Sequence, residues 1–164
     1  MGLNFLVKRI IMKLNSVQCG EIILERNMKT YNLFISHSWR YEKYYDGLID
    51  LLKDAPYFEY KDYSVPSSDP LTIRNSRYYK TELENKIENQ MRSCSVVLVL
   101  AGVFSTYSDS ILMEVRIAKK LGKPIVAVEP FGAERTSAYV KQEADRIVKW
   151  NTSSIVGAIK ELCI

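Results

Sequence analysis

The spacing of apolar positions changes several times between residues 31 and 162, and each change marks an element. Residues 31–36 (YNLFIS) read as a buried strand. Residues 41–53 place Tyr44, Leu48, Leu51 and Leu52 at helical spacing, and residues 57–60 read as a short aromatic strand. Residues 61–76 (KDYSVPSSDPLTIRNS) hold two prolines and many small polar residues, which predicts a long loop. Residues 78–92 put Leu83, Ile87 and Met91 on one helical face, with Thr81 and Glu84 at capping-box spacing. Residues 94–102, which contain the most apolar run (95–102), lack alternation, as expected of a central strand covered on both faces. A helix over 109–121 follows, with Lys119 and Lys120 in its last turn and Gly122 as its stop. Residues 124–128 read as another buried strand, 129–140 as a loop leading to a short helix, and 146–149 as a short edge strand. Asn151 or Thr152 caps a last helix that turns Ile155, Ile159 and Leu162 inward.

Strands alternating with helices imply a parallel sheet with right-handed crossovers. Five of each in this length predict an α/β, flavodoxin-like three-layer sandwich: a five-stranded parallel sheet in the order 2-1-3-4-5. Residues 1–30 stand apart as an N-terminal extension to a domain spanning 31–164. Leu3, Leu6, Val7, Ile10, Ile11, Leu14 and Val17 recur at helical spacing there, with Lys8, Arg9 and Lys13 between them. A signal peptide fits poorly, because basic residues interrupt the apolar stretch and no small-residue cleavage site follows. Leu6 stands where a myristoylation signal needs Ser or Thr. The readings that stay open are an interfacial or partner-binding helix, an extra helix packed on the domain, and an upstream extension of little consequence.

Composition narrows the function classes. The 164 residues suit one domain with a single core. A net charge of +4 is spread along the chain rather than gathered in a run, and no nucleic-acid-binding motif is present. Cys19, Cys94 and Cys163 are odd in number and unpatterned, which predicts free thiols in a reducing cytoplasm. With His37 the one histidine and no Cys-x-x-Cys pair, a zinc or other metal centre is not expected. No apolar run reaches about 18 residues, so no transmembrane segment is expected.

Glu114 draws attention as a candidate for chemistry. It falls early in the 109–121 helix, after the turn that closes the most apolar strand, and so at the carboxyl edge of the sheet, where open α/β sheets bind ligands. A carboxylate there can meet sugar hydroxyls or a developing positive charge. The plain alternative is a favourable charge in the N-terminal half of a helix. The other candidates have two readings each: His37, contact with a ligand ring or phosphate against helix capping; Trp39, stacking on a base against packing; Asp69, ligand against turn residue before Pro70; Tyr107, pocket wall against core cover; Arg135, phosphate binding against a surface ion pair. Trp150 and Asn151 read as packing and capping.

Five segments, taken in order, carry a resemblance. They are Phe34-Ile-Ser-His-Ser-Trp39; Asp62-Tyr-Ser-Val-Pro-Ser-Ser-Asp-Pro70; Ser95-Val-Val-Leu-Val-Leu100 leading to Tyr107-Ser108 and Glu114; Gly122-Lys-Pro-Ile-Val126; and Pro130-Phe-Gly-Ala-Glu-Arg135. Together they resemble the TIR-like (Toll/interleukin-1 receptor-like) family of the bacterial Thoeris anti-phage ThsB type, over residues 31–162. The resemblance implies an NAD+-consuming enzyme, with NAD as substrate and no further cofactor. It would break the nicotinamide–ribose bond and yield an ADP-ribose-derived, cyclised or transferred signal that activates a separate effector. It implies Glu114 as the catalytic carboxylate and the turn at Ser36, His37 and Trp39 as the floor of the site. The 61–76 loop would cover the nucleotide and mediate self-association. The chain departs from the pattern at Ser110, where the family usually carries an aromatic residue four positions before the glutamate.

The chemistry suits such a site. Nicotinamide leaves a cationic ring as a neutral molecule, and a single carboxylate can stabilise the oxocarbenium-like transition state. Arg or Lys side chains and backbone amides at helix N-termini can meet the phosphates. The competing expectation is a non-catalytic TIR-like adaptor acting through self-assembly, which Ser110 favours. A phosphoacceptor receiver would need acidic residues where Ser36-His37-Ser38 stands and an Asp where Ala101-Gly102 stands. A flavodoxin-type FMN site would need a richer phosphate loop after the first strand.

Overall fold

The computed structural model describes residues 29–36, 42–65, 79–103, 108–129 and 137–163. Within them strands and helices alternate: β1 (Thr30–Ser36), α1 (Glu42–Lys53), β2 (Glu59–Asp62), α2 (Tyr79–Arg92), β3 (Val96–Leu100), α3 (Ser108–Lys120), β4 (Ile125–Glu129), α4 (Ala138–Glu143), β5 (Arg146–Lys149) and α5 (Thr152–Leu162). A 3-10 turn, Ala101–Val103, links β3 to α3. Every strand pair is parallel and the order is β2-β1-β3-β4-β5, as the alternation of elements requires. Of the helical extension expected within residues 1–30, residues 1–28 lie outside the described residues, and Thr30 opens β1.

The three middle strands, β1, β3 and β4, are largely buried on both faces, and their two-residue period divides the core. Leu33, Ile35, Val96, Leu98, Leu100, Val126 and Val128 pack with Leu48 and Leu52 of α1 and Ile155 and Ile159 of α5. Phe34, Val97, Val99, Ile125 and Ala127 pack with Ile87 and Met91 of α2, Ile111 and Val115 of α3 and Val140 of α4. β3, the middle strand, is buried along its whole length, which accounts for its unbroken apolar run. Trp150 packs against the first of these cores, edge-on to Tyr44 with ring centroids 6.3 Å apart. Asn151 accepts a hydrogen bond from the Ser154 N–H and caps α5. Among the described residues no helix is long and apolar enough to cross a membrane.

Several element boundaries differ from expectation, those of the second and third strands most. The second strand does not run over 57–60: Tyr57 has φ +54° and is exposed, so the chain is still turning there, and the strand begins at Glu59. Lys61 and Asp62, expected in the long loop, complete that strand through pairing with Asn32 and Leu33. The third strand ends at Leu100, because Ala101 and Gly102 already turn in the 3-10 segment.

Candidate active site

Two elements bring the site together. In β1, Phe34 faces the side of the sheet covered by α2 and α3, and Ser36, two residues on, faces the same side. In α3, Ile111, Val115 and Ala118 form the buried stripe. Glu114 lies three residues after Ile111 and four before Ala118, so the helical period carries it onto that inward stripe. A carboxylate thus occupies a position the helix otherwise fills with apolar side chains.

It is met there by Ser36, whose hydroxyl donates a hydrogen bond to Glu114 Oε2. Ser36 is 1% exposed. Glu114 keeps part of its surface in contact with solvent, yet its carboxyl head is enclosed by protein. Burial raises its pKa from the ordinary carboxylate range to about 7, against the opposing pull of the Ser36 hydrogen bond. The carboxyl is therefore close to balance between its two protonation states at neutral pH. It can hold a negative charge against a cationic transition state or keep a proton available.

The β1 edge beside the site is pinned from β2. Asp62 Oδ1 accepts hydrogen bonds from the Ser64 N–H, at 2.8 Å, and from the Ser64 hydroxyl. Ser64 Oγ in turn accepts from the Ile35 N–H at 2.8 Å, one residue before Ser36. Tyr63 N–H donates to the Leu33 carbonyl at 2.8 Å. Sequence reasoning passed over this group, although Asp-x-Ser after a strand is a recognised signal for a side chain bonding the backbone two residues on. On the other flank, the Ser137 N–H donates to the Ala101 carbonyl at 3.3 Å and ties the start of α4 to the turn after β3.

Of the candidate residues, the structure joins Ser36 and Glu114. His37, Trp39, Asp69, Tyr107 and Arg135, and residues 66–76 of the long loop, lie outside the described residues. Ser110 is exposed. A cleft of about 730 Å³ runs between α2 and α3, lined by Leu83, Met113, Arg116 and Ile117 among others, but Glu114 is not part of its wall. Among the described residues no group of three His, Cys, Asp or Glu side chains is placed to hold a metal.

Residues 34–135 match the family model described as Thoeris protein ThsB, TIR-like domain, which spans more than half of the chain and contains both Ser36 and Glu114. The chain belongs to this family. As a ThsB-type TIR-like domain it falls in the Thoeris group of anti-phage defence proteins. No curated protein matches it. Several solved structures are similar in layout. A 2-deoxyribosyltransferase from Bacillus psychrosaccharolyticus has a TM-score of 0.49 and 12% identity, covering 73% of this chain and 87% of that one. The CMP N-glycosidase BcmB of Clostridium botulinum has a TM-score of 0.46 and 13% identity, covering 79% and 98%. A 3-dehydroquinate dehydratase-like protein from Bifidobacterium longum has a TM-score of 0.40 and 11% identity, covering 83% and 96%.

Proposed function

We propose that this ThsB-type domain consumes NAD+ by breaking the bond between nicotinamide and ribose, with Glu114 as the catalytic carboxylate. The observation that carries the reading is a carboxylate enclosed on the inward stripe of α3, at the carboxyl edge of the sheet, and fastened to the end of β1. Structure built around a charge in this way stabilises nothing unless the charge has a partner at work. In NAD+ the nicotinamide ring is cationic and departs neutral, so the reaction needs little help from an acid. What it needs is a fixed negative charge beside ribose C1′ as positive charge develops there. A pKa of about 7 leaves a large ionised fraction at the pH of the cytoplasm. The ADP-ribosyl product, cyclised, would serve as the signal to a Thoeris effector.

A second reading has one observation in its favour. Ser110 is exposed and small at the position where an aromatic wall was expected, so the domain would act as an adaptor by self-assembly through the 61–76 loop. Incubating purified protein with NAD+ and following free nicotinamide separates the two. The enzymatic reading expects release that Glu114→Gln abolishes, and nucleotide mass spectrometry of phage-infected cells carrying either form extends the assay to the triggered state. Absence of nicotinamide in both settings, with phage protection retained, would establish the adaptor.

A further inference from the structure

Ser36 was expected to contact the nucleotide from the floor of the site. Its environment indicates another role. The side chain is 1% exposed, and its hydroxyl is given to Glu114 Oε2. We propose that Ser36 is a positioning residue: by donating to one carboxyl oxygen it orients the Glu114 head and favours its ionised form, leaving the second oxygen to face the reacting sugar. The inference rests on the reading of Glu114 as the reacting carboxylate.

Three features of the surroundings support it. First, the hydrogen bond joins residues separated by 78 positions, and the register of β1 on β3, which pairs Ser36 with Val99, fixes the donor. The serine cannot follow the carboxylate if the helix moves, so the contact defines where the head group sits. Second, the donor is anchored from behind through the Ile35 N–H to Ser64 and on to Asp62. Third, among the described residues no charge substitutes for it. The strand segments of β1 and β3 bring no charged residue to this end of the sheet. Glu129 at the end of β4 is paired with Lys141. The charged residues of α2 (Glu82, Glu84, Lys86, Glu88 and Arg92) and of α3 itself (Asp109, Arg116, Lys119 and Lys120) exert no resolved pull on the carboxyl, which responds to burial and to Ser36. Among the described residues, the ionised form therefore depends on one neutral hydroxyl. A hydroxyl donor stabilises the carboxylate without adding a positive charge that would oppose the cationic transition state.

The test uses Ser36→Ala, with Ser36→Cys as a second variant of similar shape and weaker donor strength, and Ser36→Thr as the variant that keeps the hydroxyl. The Glu114 side-chain carbon, labelled with 13C and assigned by its loss in Glu114→Gln, is titrated in each folded protein. This readout needs no substrate and stands or falls apart from the NAD+ reaction. The expected result is a midpoint raised by about one pH unit in Ser36→Ala, a smaller rise in Ser36→Cys, and a return to the wild-type value in Ser36→Thr. Nicotinamide release should then fall about tenfold in Ser36→Ala at pH 6 and converge on wild type near pH 9, since the lost fraction is the protonated one. An unmoved midpoint in Ser36→Ala and Ser36→Cys overturns the proposal. So does a loss of rate that is equal at every pH and accompanied by a raised KM, which would make Ser36 a substrate contact. A raised midpoint with no nicotinamide release by any form would uphold the serine–carboxylate coupling and refute the NAD+ reading.

Discussion

Tyr45 and Asp62 are joined by a hydrogen bond from phenol to carboxylate, and this ties α1 to the last residue of β2. The other carboxylate oxygen serves Ser64, so a single aspartate connects a helix, an edge strand and the backbone of β1. Burial, reinforced by the bond to Asp62, pushes the Tyr45 phenol well above its usual pKa, so the hydroxyl stays protonated as donor throughout the working range. Tyr45→Phe should cost about 1 kcal/mol and Asp62→Ala about 2 kcal/mol, because the second change also leaves the Ser64 donors without their acceptor. Chemical denaturation of both variants and of the double variant checks this. The double variant should lose less than the sum of the two, the mark of a shared interaction.

Glu114 sets a pH dependence of stability whose sign is the reverse of a salt-bridged acid. Its carboxyl titrates near 4.5 in the unfolded chain and about 7 in the fold, so between those values the folded state holds more protons. Its contribution is most favourable below pH 4.5, declines as pH rises toward 7, and is constant above that. The decline amounts to about 3 kcal/mol at most. Glu114→Gln carries no titration, so it should be more stable than wild type at pH 8 by a few kcal/mol, with the gap closing toward pH 5. Thermal unfolding of the two proteins across this range measures the gap. A gap that widened toward acid would mean that the carboxylate is favoured by the fold.

The layered sheet was legible in the sequence because its signals are periodic and mutually consistent. The runs at 31–36, 95–102 and 124–128 could be covered on both faces only in a parallel sheet, and Gly122 and Asn151 stood where a helix stop and a cap belong. Tyr57 misled because aromatic residues favour strands, whereas its backbone is in the left-handed region, which side-chain type does not reveal. Half of the site was legible too. The position of Glu114 after the central strand was read from the chain, and its place between Ile111 and Ala118 on the inward stripe could have been. Its contact with Ser36 could not, since the contact depends on β1 lying beside β3 with Ser36 opposite Val99. Such long-range register is set by tertiary packing and leaves no local trace.

Gly122 ends α3 in a Schellman arrangement, which carries its own prediction. Its N–H donates to the Lys119 carbonyl at 3.0 Å, and the Lys123 N–H reaches back to the Ala118 carbonyl at 2.9 Å. The residue sits at φ +63°, and an added Cβ would meet no atom within 4 Å. Substitution therefore carries a backbone cost alone. Gly122→Ala should destabilise by about 1 kcal/mol and Gly122→Asn by less, since asparagine tolerates the left-handed region better. Equal losses would point to a packing role for the glycine. Denaturant midpoints of the two variants decide between these outcomes.

Cys94 closes the turn between α2 and β3, and its sulfur donates to the Gln90 carbonyl at 3.4 Å. It is 4% exposed, and burial raises its thiol to about 12, a rise that Lys123 partly offsets. Lys123 is not free to pair with a thiolate, because its ammonium donates to the carbonyls of Arg92 and Cys94 at 2.8 and 2.6 Å and so completes the end of α2. At pH 8 the thiolate fraction in the fold is smaller than in the unfolded chain by about three orders of magnitude. Alkylation by iodoacetamide should therefore be slow at Cys94 in the native protein and fast in denaturant, measured by mass spectrometry of the Cys94 peptide. Lys123→Met, which removes the donor to both carbonyls, should lower stability and speed alkylation by raising the population of opened molecules. Labelling that stayed slow in a destabilised Lys123→Met would refute the link between the lysine-held turn and access to Cys94.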